Sequence, residues 1–275
     1  MSGRLSAEDL PTGHPGWDFL LGATPFFAVE ADPRFSYSLY VPRRYRALDR
    51  PLPLLVAVHG TGRSAERTRD SFRDFAESAG IAVLAPLFPG GIGDPNDLHN
   101  YKLIEYQGIR FDEVLLAMVD EAAERWQLDT SRMLLAGFSG GGQFVHRFTY
   151  LHPSRVRAAS VGAPGRVTLL DDESWPHGVG DVASVFGSEL DFDALGHVAA
   201  QIVVGADDDG SALLAAAAAD PREARAGASR VERAGALAAS LEAAGVPVTV
   251  TVVPGVAHSS EGVRDAVVEF LAAQL

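Results

Sequence analysis

Nine residues, Leu134-Leu135-Ala136-Gly137-Phe138-Ser139-Gly140-Gly141-Gly142, restrict this chain more than any other stretch. They read as an apolar strand, a glycine-rich corner and a helix from Gly142 to about Leu151. Ser139 stands at the corner, with Gly137 two residues before it and Gly141 two after. A serine on so sharp a turn needs neighbours without side chains, because a Cβ there would meet the incoming strand or the outgoing helix. The hydroxyl is thereby pushed clear of the backbone. The N–H of Gly140, in the first helical turn, points to where negative charge would develop on a substrate oxygen. Gly-x-Ser-x-Gly is the pattern of a nucleophile elbow. In a chain with 28 glycines among 275 residues the pattern alone is weak, so the surrounding elements have to decide.

Those elements alternate. Residues 1–24 read as an irregular arm. Phe26–Glu30 and Phe35–Val41 read as two strands about the turn Asp32-Pro33, the second with Phe35, Tyr37, Leu39 and Val41 on one face. Leu54–Val58 is a continuous apolar run, as in a strand buried on both faces, and it ends in His59-Gly60-Thr61-Gly62. A helix over Ala65–Ala79, stopped by Gly80, leads to a strand over Ile81–Ala85. The helix Phe111–Trp126 carries the clearest 3.6-residue stripe: Phe111, Val114, Leu115, Met118, Val119, Ala122 and Trp126. Further strands are expected over Arg132–Phe138, Val156–Val161, Ala199–Val204 and Pro247–Val253, and helices over Arg230–Ala244 and Gly262–Leu275. The alternation from residue 54 onward implies an α/β fold, with a mostly parallel sheet of about eight strands and helices on both faces. No linker divides 1–275, so the reading is one domain. The connections at 87–108, 165–196 and 209–229 are long enough to act as lids.

Bulk properties narrow the partners. The formal charge of −13 repels nucleic-acid phosphates and anionic membranes, so neither is expected as a partner. The absence of cysteine excludes disulfides, thiol catalysis and thiolate metal sites. No run of about 18 apolar residues offers a membrane span. The polar stretch Met1–Pro11 does not read as a signal peptide, which makes a soluble cytoplasmic protein the expectation. No pair of histidines stands at i, i+4 beside a carboxylate, so neither a metal nor any other cofactor is expected.

In open parallel sheets, ligands bind at the carboxyl ends of the strands. Four features fall there: His59-Gly60-Thr61-Gly62, Ser139, the acidic cluster Asp207-Asp208-Asp209, and His258. A serine hydroxyl needs a base within hydrogen-bond reach, and the base needs a carboxylate to fix its tautomer. Ser139, one of the aspartates and His258 supply all three in the order Ser…Asp…His. His59 reads as a structural residue that orients the loop after it. His146 and His152 read as ordinary helix residues, and His99, His177 and His197 as solvated ones.

On these residues the sequence resembles the α/β-hydrolase superfamily. More narrowly it is similar to single-domain esterases of the dienelactone hydrolase and polyhydroxybutyrate-depolymerase type. The matching pieces are His59-Gly60-Thr61-Gly62, Asp129-x-Ser131-Arg132 leading into Gly137-Phe138-Ser139-Gly140-Gly141-Gly142, Gly205-Ala206-Asp207-Asp208, and Pro254-Gly255-Val256-Ala257-His258. Together they span about residues 35–275. Many such esterases carry Ala directly after the serine, where this chain has Gly140. The resemblance implies a serine hydrolase acting on a small-molecule ester or related acyl substrate. Ser139 would be the nucleophile, His258 the base and Asp208 the acid, since the acid of such families stands three residues after the strand-end glycine. Asp207 is the alternative. Thr61 and Gly140 would donate the oxyanion N–H groups, with Gly62 as the alternative to Thr61. Trp175, Phe88 and Tyr106 are the aromatic candidates for the pocket wall. The same constellation serves esters, amides, peptides and carbon–carbon bonds, and a binding protein can reuse the pocket as a receptor.

Overall fold

The computed structural model describes residues 6–48, 50–210 and 220–275. Of the connection expected to act as a lid at 209–229, residues 211–219 lie outside the described residues. The chain forms two compact units, one ending at Leu134 and the other comprising Leu135–Leu275.

The first unit holds strands β1 (Gly22–Ala23), β2 (Phe27–Ala28), β3 (Ser36–Val41), β4 (Leu52–Val58), β5 (Ala82–Leu87), β6 (Glu105–Tyr106) and β7 (Ile109–Arg110). Strand β8 (Leu128–Phe138) begins in it. Hydrogen-bonded neighbours run β1-β3-β5-β4-β8, with β2 also on β3, and β6 pairs only with β7. β1, β2 and β5 run antiparallel to β3, whereas β4 and β5 are parallel. The arm is thus less irregular than its sequence reads: a helical turn at Trp17–Leu20 precedes β1, whose Gly22 faces Val41. β5 also runs on through Pro86, opposite Tyr37 of β3. Its pairing with β4 ends earlier, at Val56 with Leu84, so the missing proline N–H costs no bond on that side.

The helix expected over 65–79 is two helices, Ala65–Asp70 and Arg73–Ala79. They break at Ser71-Phe72, where the Ser71 hydroxyl donates to Thr68 O (2.7 Å) and competes with the helical ladder. Gly80 closes the second with φ 67°. The stretch 87–108 is built rather than loose. It folds into a 3-10 turn at Asn100–Leu103 and the β6–β7 hairpin. Its Phe88 is fully buried, packed on Phe35, Phe111, Tyr101 and His59, and so is core rather than pocket wall.

In the second unit hydrogen-bonded neighbours run β8-β9-β10-β11, where β9 is Val156–Gly162, β10 Ala199–Gly205 and β11 Val248–Val253. β9, β10 and β11 are parallel, in register from Ala199 opposite Ala158 and from Ala200 opposite Val248. The helix Gly140–Leu151 packs on β9, Arg230–Ala243 on β10 and β11, and Ser260–Ala272 on β9 and β10. Parallel strands need such covering helices, because their two faces are both apolar. The stretch 165–196 carries short helices at Val182–Phe186 and Phe192–Leu195. Thr168 ties it down. Its N–H donates to His146 Nε2 (3.1 Å), its hydroxyl accepts from Arg147 Nε (2.7 Å), and its carbonyl accepts from Tyr150 OH (3.0 Å). Among the described residues, no helix is long and apolar enough to cross a membrane.

Candidate functional site

β8 ends at Phe138, and the next helix starts at Gly140. Ser139 takes the turn between them with φ 57° and ψ −112°, a conformation in which an L-residue is strained. Two backbone bonds hold the strain: Ser139 N donates to Gly162 O of β9 (2.8 Å), and Ser139 O accepts from Gln143 N (3.1 Å). A methyl group at Gly137 would overlap the carbonyl of Gly141, which is why this position excludes a side chain. Ser139 itself is half-buried, and Gly140 begins the helix as its first residue. The first N–H groups of a helix have no intrahelical partner and are free for another acceptor.

The loops after β10 and β11 are laced together. Ala206 N donates to Val253 O (2.8 Å) and Asp207 N to Val256 O (2.9 Å). A Cβ at Gly205 would overlap Val256 O, so the close approach of these loops requires glycine there. Asp208 N turns back to Gly205 O (3.1 Å), which carries the Asp208 side chain inward while Asp207 and Asp209 stay exposed. Asp208 is 2% exposed, and its Oδ2 lies 2.6 Å from His258 Nδ1. Its Oδ1 accepts from Arg230 Nη1 at 2.9 Å. Of the three consecutive aspartates, Asp208 is therefore the one that meets His258.

The imidazole of His258 lies over the ring of Phe138, with centroids 4.7 Å apart and planes at 38°. Phe138 immediately precedes Ser139, so the imidazole held by Asp208 lies against the residue next to the strained serine. Burial holds the His258 pKa below its ordinary value. The hydrogen bond to Asp208 opposes that effect and the Arg230 charge adds to it. Sequence reasoning passed over Arg230. The available signal was the capping box Ser229-x-x-Glu232, which starts the helix at Arg230 and puts that residue in its first turn.

Thr61 lies in the first unit, on the turn after β4. The turn is braced by its neighbours. His59 is fully buried, with Nδ1 2.8 Å from Gly60 O and Nε2 accepting from Phe88 N (3.1 Å). Arg63, in a left-handed conformation (φ 54°), donates to Thr61 O (2.6 Å), Leu98 O (2.9 Å) and Asn100 Oδ1 (3.1 Å), with its guanidinium over the Tyr101 ring. Of the aromatic candidates, Trp175 and Tyr106 are part-exposed, and Trp175 stands edge-on to Phe186.

No protein-family model matches the chain, and no curated protein matches it in sequence. Solved structures do. Poly(aspartic acid) hydrolase-1 from Sphingomonas sp. KT-1 superposes with a TM-score of 0.71 at 21% identity, over 90% of this chain and 97% of that one. A poly(3-hydroxybutyrate) depolymerase from Bordetella parapertussis gives 0.67 at 22%, over 87% and 82%. An S-formylglutathione hydrolase from Agrobacterium tumefaciens gives 0.58 at 17%, over 88% and 90%. This chain has the α/β-hydrolase fold. At these identities the likeness is one of fold, and within the α/β-hydrolase fold the chemistry has to be argued from the site.

Proposed function

We propose that the chain is a serine hydrolase that cleaves a carboxylic ester through an acyl-enzyme. The observation that carries the reading is the Asp208–His258 hydrogen bond of 2.6 Å, with the imidazole lying over the residue next to the strained Ser139. In the proposed reaction, Ser139 Oγ attacks the ester carbonyl carbon while its proton passes to His258 Nε2. The carbonyl oxygen becomes an oxyanion held by the N–H of Gly140. His258 then gives the proton to the departing alcohol oxygen, leaving the acyl group on Ser139. A water molecule loses its proton to His258 and attacks the acyl carbon. Collapse releases the acid and returns the proton to Ser139. Asp208 stays ionised throughout, fixing Nδ1–H of the imidazole and stabilising the imidazolium. His258, with its pKa held down by burial, is in the basic form at neutral pH, as a general base has to be.

The test is labelling by a fluorophosphonate probe followed by mass spectrometry, with hydrolysis of a short-chain chromogenic ester in parallel. The expected result is one adduct, on Ser139, that disappears in Ser139→Ala together with turnover. Wild-type protein that neither labels nor hydrolyses the ester would overturn the reading and leave a non-catalytic receptor in its place. Rates on a matched ester and anilide separate ester from amide cleavage.

A further inference from the structure

The two oxygens of Asp208 are divided between two cations of different character. Oδ2 faces His258 Nδ1, and Oδ1 accepts from Arg230 Nη1 at 2.9 Å. The guanidinium and the carboxylate are both buried, with side-chain exposures of 8% and 2%. A buried carboxylate held at one oxygen can rotate about its Cβ–Cγ bond, whereas one held at both oxygens cannot. Arg230 is itself fixed from behind. It is the first residue of the helix Arg230–Ala243, and the Ser229 hydroxyl caps that helix by accepting from Glu232 N (3.1 Å). Glu232 Oε2 completes the box by accepting from Ser229 N (3.1 Å) and Ala228 N (2.6 Å).

The Nε of Arg230 is buried, with no hydrogen-bond partner among the described residues. A buried unsatisfied donor costs stability, and a charge-assisted hydrogen bond from the same guanidinium offsets part of that cost. That bond is the one to Asp208.

We propose that Arg230 is a positioning residue, which clamps the Asp208 carboxylate so that its other oxygen is presented to His258. The proposal rests on the serine-hydrolase reading of the site. The charged groups that act on His258 are Asp208, from the loop after β10, and Arg230, from the helix Arg230–Ala243. The uncharged Phe138 ring also lies against the imidazole. Asp208 favours the imidazolium and Arg230 disfavours it, so removing the guanidinium leaves the carboxylate unopposed and raises the pH at which His258 titrates.

The experiment follows the His258 imidazole by NMR titration in wild type, Arg230→Gln, Arg230→Met and Arg230→Lys, with pH profiles of kcat/KM for a chromogenic ester. In the two neutral variants the His258 midpoint should rise by roughly one pH unit. The acid limb of the profile should rise with it, and kcat should fall about tenfold with little change in KM. Arg230→Lys, which keeps the charge, should restore the midpoint. Neutral variants that titrate at the wild-type midpoint, or two neutral variants that both fail to fold, would assign Arg230 to stability alone and overturn the proposal. The NMR midpoint is read without turnover. A protein that hydrolyses nothing but shows the shift would sink the hydrolase reading and leave the electrostatic role of Arg230 standing.

Discussion

Two buried histidines should make this protein acid-sensitive well above the range in which its carboxylates titrate. His59 and His146 are 0% and 1% exposed and are held alike. Each has Nδ1 2.8 Å from a carbonyl, of Gly60 and Gly142, and each accepts a backbone N–H at Nε2, from Phe88 and Thr168 at 3.1 Å. That geometry fixes a neutral ring with the proton on Nδ1. Burial pushes His59 down to about 4 and His146 down to about 3, and the nearby Arg63 and Arg147 charges act in the same direction. In the unfolded chain both titrate near 6.5. The folded values are depressed, so the stability is fully present above about pH 6.5 and is lost as pH falls towards 4, where the unfolded chain binds the extra protons. Each group contributes a slope that starts at half its limit near pH 6.5 and approaches about 1.4 kcal/mol per pH unit below it. From pH 6.5 to 4.5 the two together remove roughly 4 kcal/mol, a large part of the 5–15 kcal/mol typical of a folded domain. Urea unfolding by circular dichroism at several pH values reads the slope. His59 and His146 lie in different units, so His59→Gln and His146→Gln should each remove about half of it. Stability that is flat between pH 6.5 and 4.5, or a slope unchanged in both variants, would show that these rings are protonated or solvated in the folded protein and would refute the reasoning.

Four further outcomes follow from the site. Asp208→Asn should lower kcat/KM for an ester by about 10³–10⁴-fold, and Asp207→Asn should stay within about threefold of wild type; the reverse order would move the acid to Asp207. The acid limb of the wild-type kcat/KM profile should lie below the ordinary histidine value of 6.5, because burial holds His258 down; a limb above 6.5 would contradict that. Gly205→Ala drives a methyl group into the Val256 carbonyl and should cost about 2 kcal/mol or more in urea unfolding, with loss of activity from displacement of the Asp208 and His258 loops. Ser229→Ala removes the cap and should cost about 1 kcal/mol, and it should reduce kcat if the cap is what seats Arg230.

What could be read from the sequence, and what could not, divides along a physical line. The elbow was legible because strain leaves a compositional trace: few residues except glycine tolerate the approach of Gly137 to Gly141, and the apolar run before it announces a strand. His258 stood out because it follows the turn after the last strand, where open parallel sheets place their ligand sites. The acid was only narrowed to neighbouring aspartates, since composition cannot tell which of three adjacent carboxylates a turn will bury. The deciding bond, Asp208 N to Gly205 O, is a property of the backbone. The hairpin at 105–110 escaped for a related reason. Its turn residues Gln107 and Gly108 both have positive φ, as a two-residue hairpin demands, but glutamine stands where asparagine or aspartate would have signalled it. Glu105 makes up part of the difference by accepting Gly108 N at 2.8 Å. Arg230 escaped because an arginine on a helix is ordinarily solvated. Pattern reasoning assigns charge to the surface by default, so it overlooks the charges that burial makes consequential. The residues hardest to see in such a sequence are therefore the supporting ones: His59 beside the turn that carries Thr61, His146 in the helix that starts at Gly140, and Arg230 behind Asp208. Their chemistry is set by what covers them rather than by what they are.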